Sequence, residues 1–313
     1  MTATMQPPFR APFRATFLAG VVAAGLACTG CMSWTPGWET PAPPRGAGEA
    51  EAALQRAEAL FEVADDAAQL RAAIAAYDTA LQALPVGSDG RLPVAAPRTL
   101  TQLAEAHVLF GAAYAQGKSE KARSYITGIR YAEQAMACVP AFRRRIEAGA
   151  PIGEAVAELG REQMRPMLLW VTGVSYYFKE CLRAPSHLWN FRWMLRTREV
   201  MARMMEVDPE AEHGAVPFSL AIYYLGLPKS AGGDLGRSAE LLARAEAQAP
   251  GALLTRWGRA KYLYVRTGDR AGFQRDLEWV LAQDPRRAEG QYRWNVYFQR
   301  DAREMLSRID RWF

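Results

Sequence analysis

Few residues in this chain have a type and spacing that could do chemistry. Its three histidines, His107, His187 and His213, stand far apart, with no acidic or cysteine partner at metal-ligand spacing. There is no HExxH, no paired CxxC and no glycine-rich phosphate loop. The carboxylates are scattered over polar helix faces, where solvated charge is their ordinary role. No catalytic residue, metal ligand or cofactor site emerges, so a non-enzymatic protein is expected.

Four cysteines remain. Cys138 and Cys181 could join in an oxidising compartment or stay two buried thiols. Cys28 and Cys31 lie in the run LACTGC, which follows a positive stretch with Arg10 and Arg14 and an uncharged apolar segment at 15–27. That segment is too short for a stable bilayer span and reads as a targeting signal. Signals that end at a cysteine preceded by small residues resemble those of bacterial lipoproteins, whose cysteine is acylated. Cys31, after Thr29 and Gly30, is the expected lipidation site, with Cys28 as the alternative. A plain secretory signal or a short membrane anchor are the other readings. All of them place the remainder outside the cytoplasm.

Aromatic side chains form the other candidate constellation. The helix-like stretch 162–182 carries Trp170, Tyr176, Tyr177 and Phe178, and 187–207 carries Trp189 and Trp193. Tyr223 and Tyr224 follow on a third apolar stretch. Such rings at helical spacing ordinarily form core. Here they spread around more than one face of each helix, so an apolar cavity lined by Trp170, Tyr176, Tyr177, Trp189, Trp193, Tyr223 and Tyr224 is expected as well. Arg192 and Arg196 could reach the head of an amphiphile there.

The elements that position these residues are read from periodicity. Residues 217–250 hold two apolar-periodic helices joined by Gly232, Gly233 and Asp234, a reversal in which glycine supplies the turn and Asp234 caps the next helix. A helix, a tight turn, a second helix and a terminating proline make one unit of a tetratricopeptide-like array, which needs neighbours to bury its apolar face. Pro85, Pro140, Pro209, Pro250 and Pro285 close five such pairs, and a final helix spans 288–313. The expected fold is therefore all-α, a degenerate array over 49–313. Residues 1–30 form the signal and 31–48 a Pro/Gly-rich tether, with Trp34 and Trp38 at the membrane interface or in a disordered tail. Residues 86–98 read as a loop. The formal charge is +5, and only five of the cations are Lys. No strongly basic face stands out, so nucleic acid is not an expected partner.

With these pieces placed, the chain resembles the TRAP-transporter-associated T-component (TatT) lipoproteins. The resemblance rests on the lipoprotein-like start, RSYITGIRYAEQAM at 123–136, MLLW at 167–170, LPKSAGGD at 227–234 and LSRIDRWF at 306–313. It covers most of 50–313, and the order and spacing of the motifs carry it. It implies a periplasmic, lipid-anchored accessory that associates with the solute-binding protein of a TRAP transporter. It also implies an apolar pore or cleft in the protomer and a capacity to form homotrimers. The alternative is a tetratricopeptide scaffold lipoprotein for envelope or secretion-complex assembly with no small-molecule ligand.

Overall fold

Three aspartates mark where helices begin. Asp66, Asp234 and Asp269 each accept a hydrogen bond from the backbone N–H three residues on, at 2.8–2.9 Å. Each supplies one of the acceptors that a first turn lacks. The computed structural model describes residues 32–40, 49–84 and 96–313, apart from the side chains of 184 and 185. Cys28, Cys31 and the apolar segment 15–27 lie outside the described residues, as does most of the loop expected at 86–98.

The helices follow as antiparallel pairs. α1 (Ala50–Val63) packs on α2 (Ala67–Ala83), and α3 (Pro97–Ala113) on α4 (Gly117–Ala137). Pro97 begins α3 a turn earlier than the apolar period suggests, because proline suits the first helical position. Two short helices, α5 (Pro140–Glu147) and α6 (Ile152–Ala155), lead into α7 (Met164–Tyr176), which continues as a π-helical segment, Tyr177–Cys181. Antiparallel to it runs α8 (Ala184–Val207). Then come α9 (Ala215–Gly226) with α10 (Leu235–Gln248). α11 (Leu253–Gly258) passes through a second π segment, Arg259–Tyr264, into α12 (Val265–Thr267). α13 (Arg270–Ala282) and α14 (Tyr292–Ser307) complete the chain. Among the described residues there is no strand, so the fold is all-α as expected. The five expected pairs are α1–α2, α3–α4, α7–α8, α9–α10 and α11/α12–α13.

The turn before α10 needs both glycines, for different reasons. Gly232 has φ +89°, a left-handed angle that side chains resist. Gly233 does not; a Cβ there would stand 2.0 Å from the Leu227 carbonyl oxygen. The conformational demand falls on the first glycine and the steric one on the second.

Two apolar cores result. One joins α1–α3 to α9–α14 and contains Phe61, Tyr77, Leu103, Trp257 and Phe273; the other lies among α4–α9 around Met136, Phe142, Met167 and Trp170. Because the first and last helices share a core, the array curls until its ends meet. Arg293 of α14 donates to the Phe61 carbonyl at 3.0 Å and lies 3.7 Å over the Phe61 ring. Its guanidinium also stands 3.7 Å from Glu105 of α3, which is 1% exposed and bound at 3.0 Å by Arg165. Arg165 in turn reaches Glu212 at 2.6 Å. Four charges from distant parts of the chain thus tie the seam.

Residues 32–40 depart most from expectation. They are a strap packed on α4, α7 and α8, and Met32 is fully buried. Trp34 stacks on Trp193 at 4.3 Å, and Trp38 meets the Phe142 ring edge-on at 6.2 Å. Glu133 of α4 accepts from Trp34 Nε1 (3.1 Å), Gly37 N (2.6 Å) and Trp170 Nε1 (3.0 Å). Any side chain at 37 would be driven into the Arg130 carbonyl. Trp34 therefore helps satisfy a buried carboxylate and Trp38 packs on Phe142, so both indoles are engaged by the body of the protein.

Candidate functional site

A π turn adds one residue to a helical turn and so swings the following side chains onto a new face. The two π segments of this chain face each other. One carries Tyr177, Phe178, Lys179 and Glu180; the other carries Lys261, Tyr262 and Tyr264. α4 adds Lys121 and Tyr125 from one side, and α14 adds Tyr297 and Asp301 from another.

Most of the charge here is neutralised locally. Lys121 pairs with Glu180 at 2.7 Å, and Glu180 also accepts from Tyr125 at 2.8 Å. Lys261 pairs with Asp301 at 2.7 Å, which accepts from Trp257 Nε1 at the same distance. Lys179 differs. It donates to the Tyr262 hydroxyl at 3.1 Å with its amine 4.2 Å from that ring's centroid, and among the described residues it has no carboxylate within pairing distance. Three lysines against two carboxylates leave one positive charge in excess.

The surroundings of Lys179 are those of a recess. Its side chain is solvent-exposed, yet burial pushes its amine down to about 8, helped by the neighbouring Lys261. Lys179 thus stands at the solvent-exposed edge of the aromatic cluster that includes Tyr262. Burial also drives the phenols of Tyr176, Tyr262 and Tyr297 well up, so all three stay protonated. Tyr176 stacks on Tyr125, 5.6 Å apart and nearly parallel. Aromatic walls with one uncompensated cation suit a ligand with an apolar body and an anionic head.

The seven expected cavity residues are distributed over several places. Tyr176 belongs to this recess, and Tyr177 lies half-buried beside it. Trp170 is fully enclosed, its indole committed to Glu133. Tyr223 is 5% exposed and meets Tyr224 edge-on at 5.5 Å; Tyr224 links the two cores. Trp193 is covered by Trp34, and Trp189 projects outward, 77% exposed. Arg192 is exposed, and Arg196 stacks on Trp193, so neither points toward the recess residues. The backbone N–H of Asp234 donates to the Tyr224 carbonyl at 3.2 Å, tying the glycine turn to α9.

Sequence reasoning missed Lys121, Lys179 and Lys261. The usable signal was their rarity: three of five lysines in an arginine-rich chain meet here. The histidines remain apart. His107 stacks on Tyr131 at 5.7 Å, its pKa pushed down to about 4 by burial, and His187 bonds the Phe178 carbonyl at 3.0 Å. Among the described residues no group of His, Cys, Asp and Glu could hold a metal ion. Cys138 and Cys181 are free thiols, both raised to about 11 mainly by burial.

Helix pairs closed into one body, with aromatic rings gathered around Lys179, define an all-α helical-repeat protein. Residues 105–313 match the model of the TRAP transporter T-component family, and the chain belongs to that family. It is thereby an accessory component of TRAP transporters, in a family associated with the periplasmic side. No curated protein matches the chain. Among solved structures it is similar to the Assembly Chaperone of RpL4 (Acl4), residues 1–338, at 16% identity and a TM-score of 0.38, over 84% of this chain and 99% of that one. Among the described residues no helix is long and apolar enough to cross a membrane.

Proposed function

We propose that this T-component is a non-enzymatic, lipid-anchored protein of the periplasmic side that associates with the transporter's solute-binding protein and holds an amphiphilic, anionic solute. Lipid on Cys31 and association of three copies belong to the same reading, as the family resemblance implies. The observation that carries the solute is Lys179, a cation without a carboxylate partner among aromatic rings. In such a site the apolar part of a solute is drawn from water while Lys179 meets its head group.

Two measurements on the protein purified from membranes in mild detergent test this. Native mass spectrometry should show an acidic amphiphile retained by the wild type and absent from Lys179→Met at the same melting temperature. The solute-binding protein encoded with the transporter should co-purify with both. Preparations without ligand would favour the scaffold reading, which the tight enclosure of Trp170 and Tyr223 already suits. Failure of the binding protein to co-purify would remove the adaptor role.

A further inference from the structure

The outward face of α8 carries an apolar patch that no described part of the protein covers. Leu188 is 80% exposed and Trp189 77%, with Leu195 at 38% and Arg192 exposed between them. Leu188, Arg192 and Leu195 are four and three residues apart and share one side of the helix, with Trp189 flanking them. A lone exposed leucine needs no explanation, but two adjacent large apolar residues beside an exposed arginine do.

The position of the strap indicates what covers the patch. Met32 N donates to Asn190 Oδ1 at 2.6 Å, and Met32 O accepts from Trp193 Nε1 at 2.9 Å. The described chain thus begins on α8 itself, held between Asn190 and Trp193, with Trp189 lying between that point and Leu188 around the helix. In the sequence, LACTGC and the uncharged apolar segment 15–27 come immediately before Met32. Trp34 and Gly37, bound to Glu133, hold this point in place. A tether would let the body drift from the membrane, whereas a docked strap brings one face to it.

We propose that this face of α8 lies on the lipid surface. Leu188 and Trp189 enter the boundary between head groups and acyl chains, while the exposed Arg192 meets an anionic head group. Tryptophan with an apolar body and a polar N–H suits that boundary, and Arg192 on the same face adds electrostatic attraction. His187, adjacent to the patch, packs on Phe178 at 4.7 Å, so the segment bearing Lys179 sits beside the same surface.

The test uses the full-length protein with phosphatidylethanolamine–phosphatidylglycerol vesicles carrying brominated acyl chains. Part of the wild-type tryptophan fluorescence should be quenched, and Trp189→Phe should abolish that part. In a Cys31→Ser background, Leu188→Ser with Trp189→Ser should weaken vesicle binding by about tenfold or more at an unchanged melting temperature. A mature N-terminus other than Cys31, with Trp189 still quenched, would remove the lipid anchor and support this contact on its own. Equal quenching in wild type and Trp189→Phe, with the protein still on vesicles, would overturn the proposal. A lower oligomer mass in the serine pair would do so too, assigning the face to a second copy.

Discussion

Glu133 is the most consequential single side chain outside the recess. It is 1% exposed, and burial raises its pKa from 4.5 to about 7 against the lowering effect of its three N–H donors. An acid that is harder to ionise when folded stabilises the fold while it is protonated in both states. That contribution is fully present below about pH 4.5 and is lost as pH rises through about 7, on the order of 3 kcal/mol in all. Lowering the pH from 8 to 5 should therefore raise the melting temperature of the wild type relative to Glu133→Gln, while buried His107, with its lowered pKa, costs both proteins stability over the same range. Parallel pH profiles for the two proteins would contradict this. Trp34, Gly37 and Trp170 lie 99, 96 and 37 residues from Glu133, so no local spacing in the sequence betrayed their meeting.

The helices were the legible part. Apolar period and terminating prolines placed the five pairs, since capping and amphipathic burial are local, repeated demands. The turn before α10 was legible in residue type but not in the role of each glycine. Gly232→Ala should cost about 1 kcal/mol, for the left-handed angle. Gly233→Ala should cost more, because the backbone must move away from the Leu227 carbonyl, and Asp234→Ala should lose about 1 kcal/mol with its cap. Thermal unfolding checks all three; an equal or smaller loss at Gly233 than at Gly232 would refute the steric assignment. The strap was not legible. A Pro/Gly-rich stretch has no period, so its burial cannot be read from pattern. Likewise the π turns, which aim Lys179 at Tyr262, leave no clear mark on a run such as YYFKEC.

Closure of the array distinguishes this protein from an open solenoid, whose repeats contact only their neighbours. With Phe61, Glu105 and Arg293 joined across the seam, α1 and α14 should unfold together with the rest in one transition. Arg293→Ala leaves Glu105 more weakly paired in a buried site and should cost about 3 kcal/mol. Separate transitions in the wild type, or a loss below about 0.5 kcal/mol in the variant, would show that the seam is a mere surface contact. The seam, like the recess, joins residues from distant helices, which explains why neither was visible in the sequence.

Calorimetric titration of decanoate and of the neutral decanol into wild type and Lys179→Met tests the solute-binding claim most directly. The wild type should bind decanoate, and the variant should lose about tenfold or more in affinity while its decanol binding is unchanged. Since burial, with Lys261 beside it, pushes the Lys179 amine down to about 8, the wild-type preference for decanoate should fade as pH rises past that value. Equal decanoate affinity in the two proteins, or none in either, would contradict a solute site at Lys179.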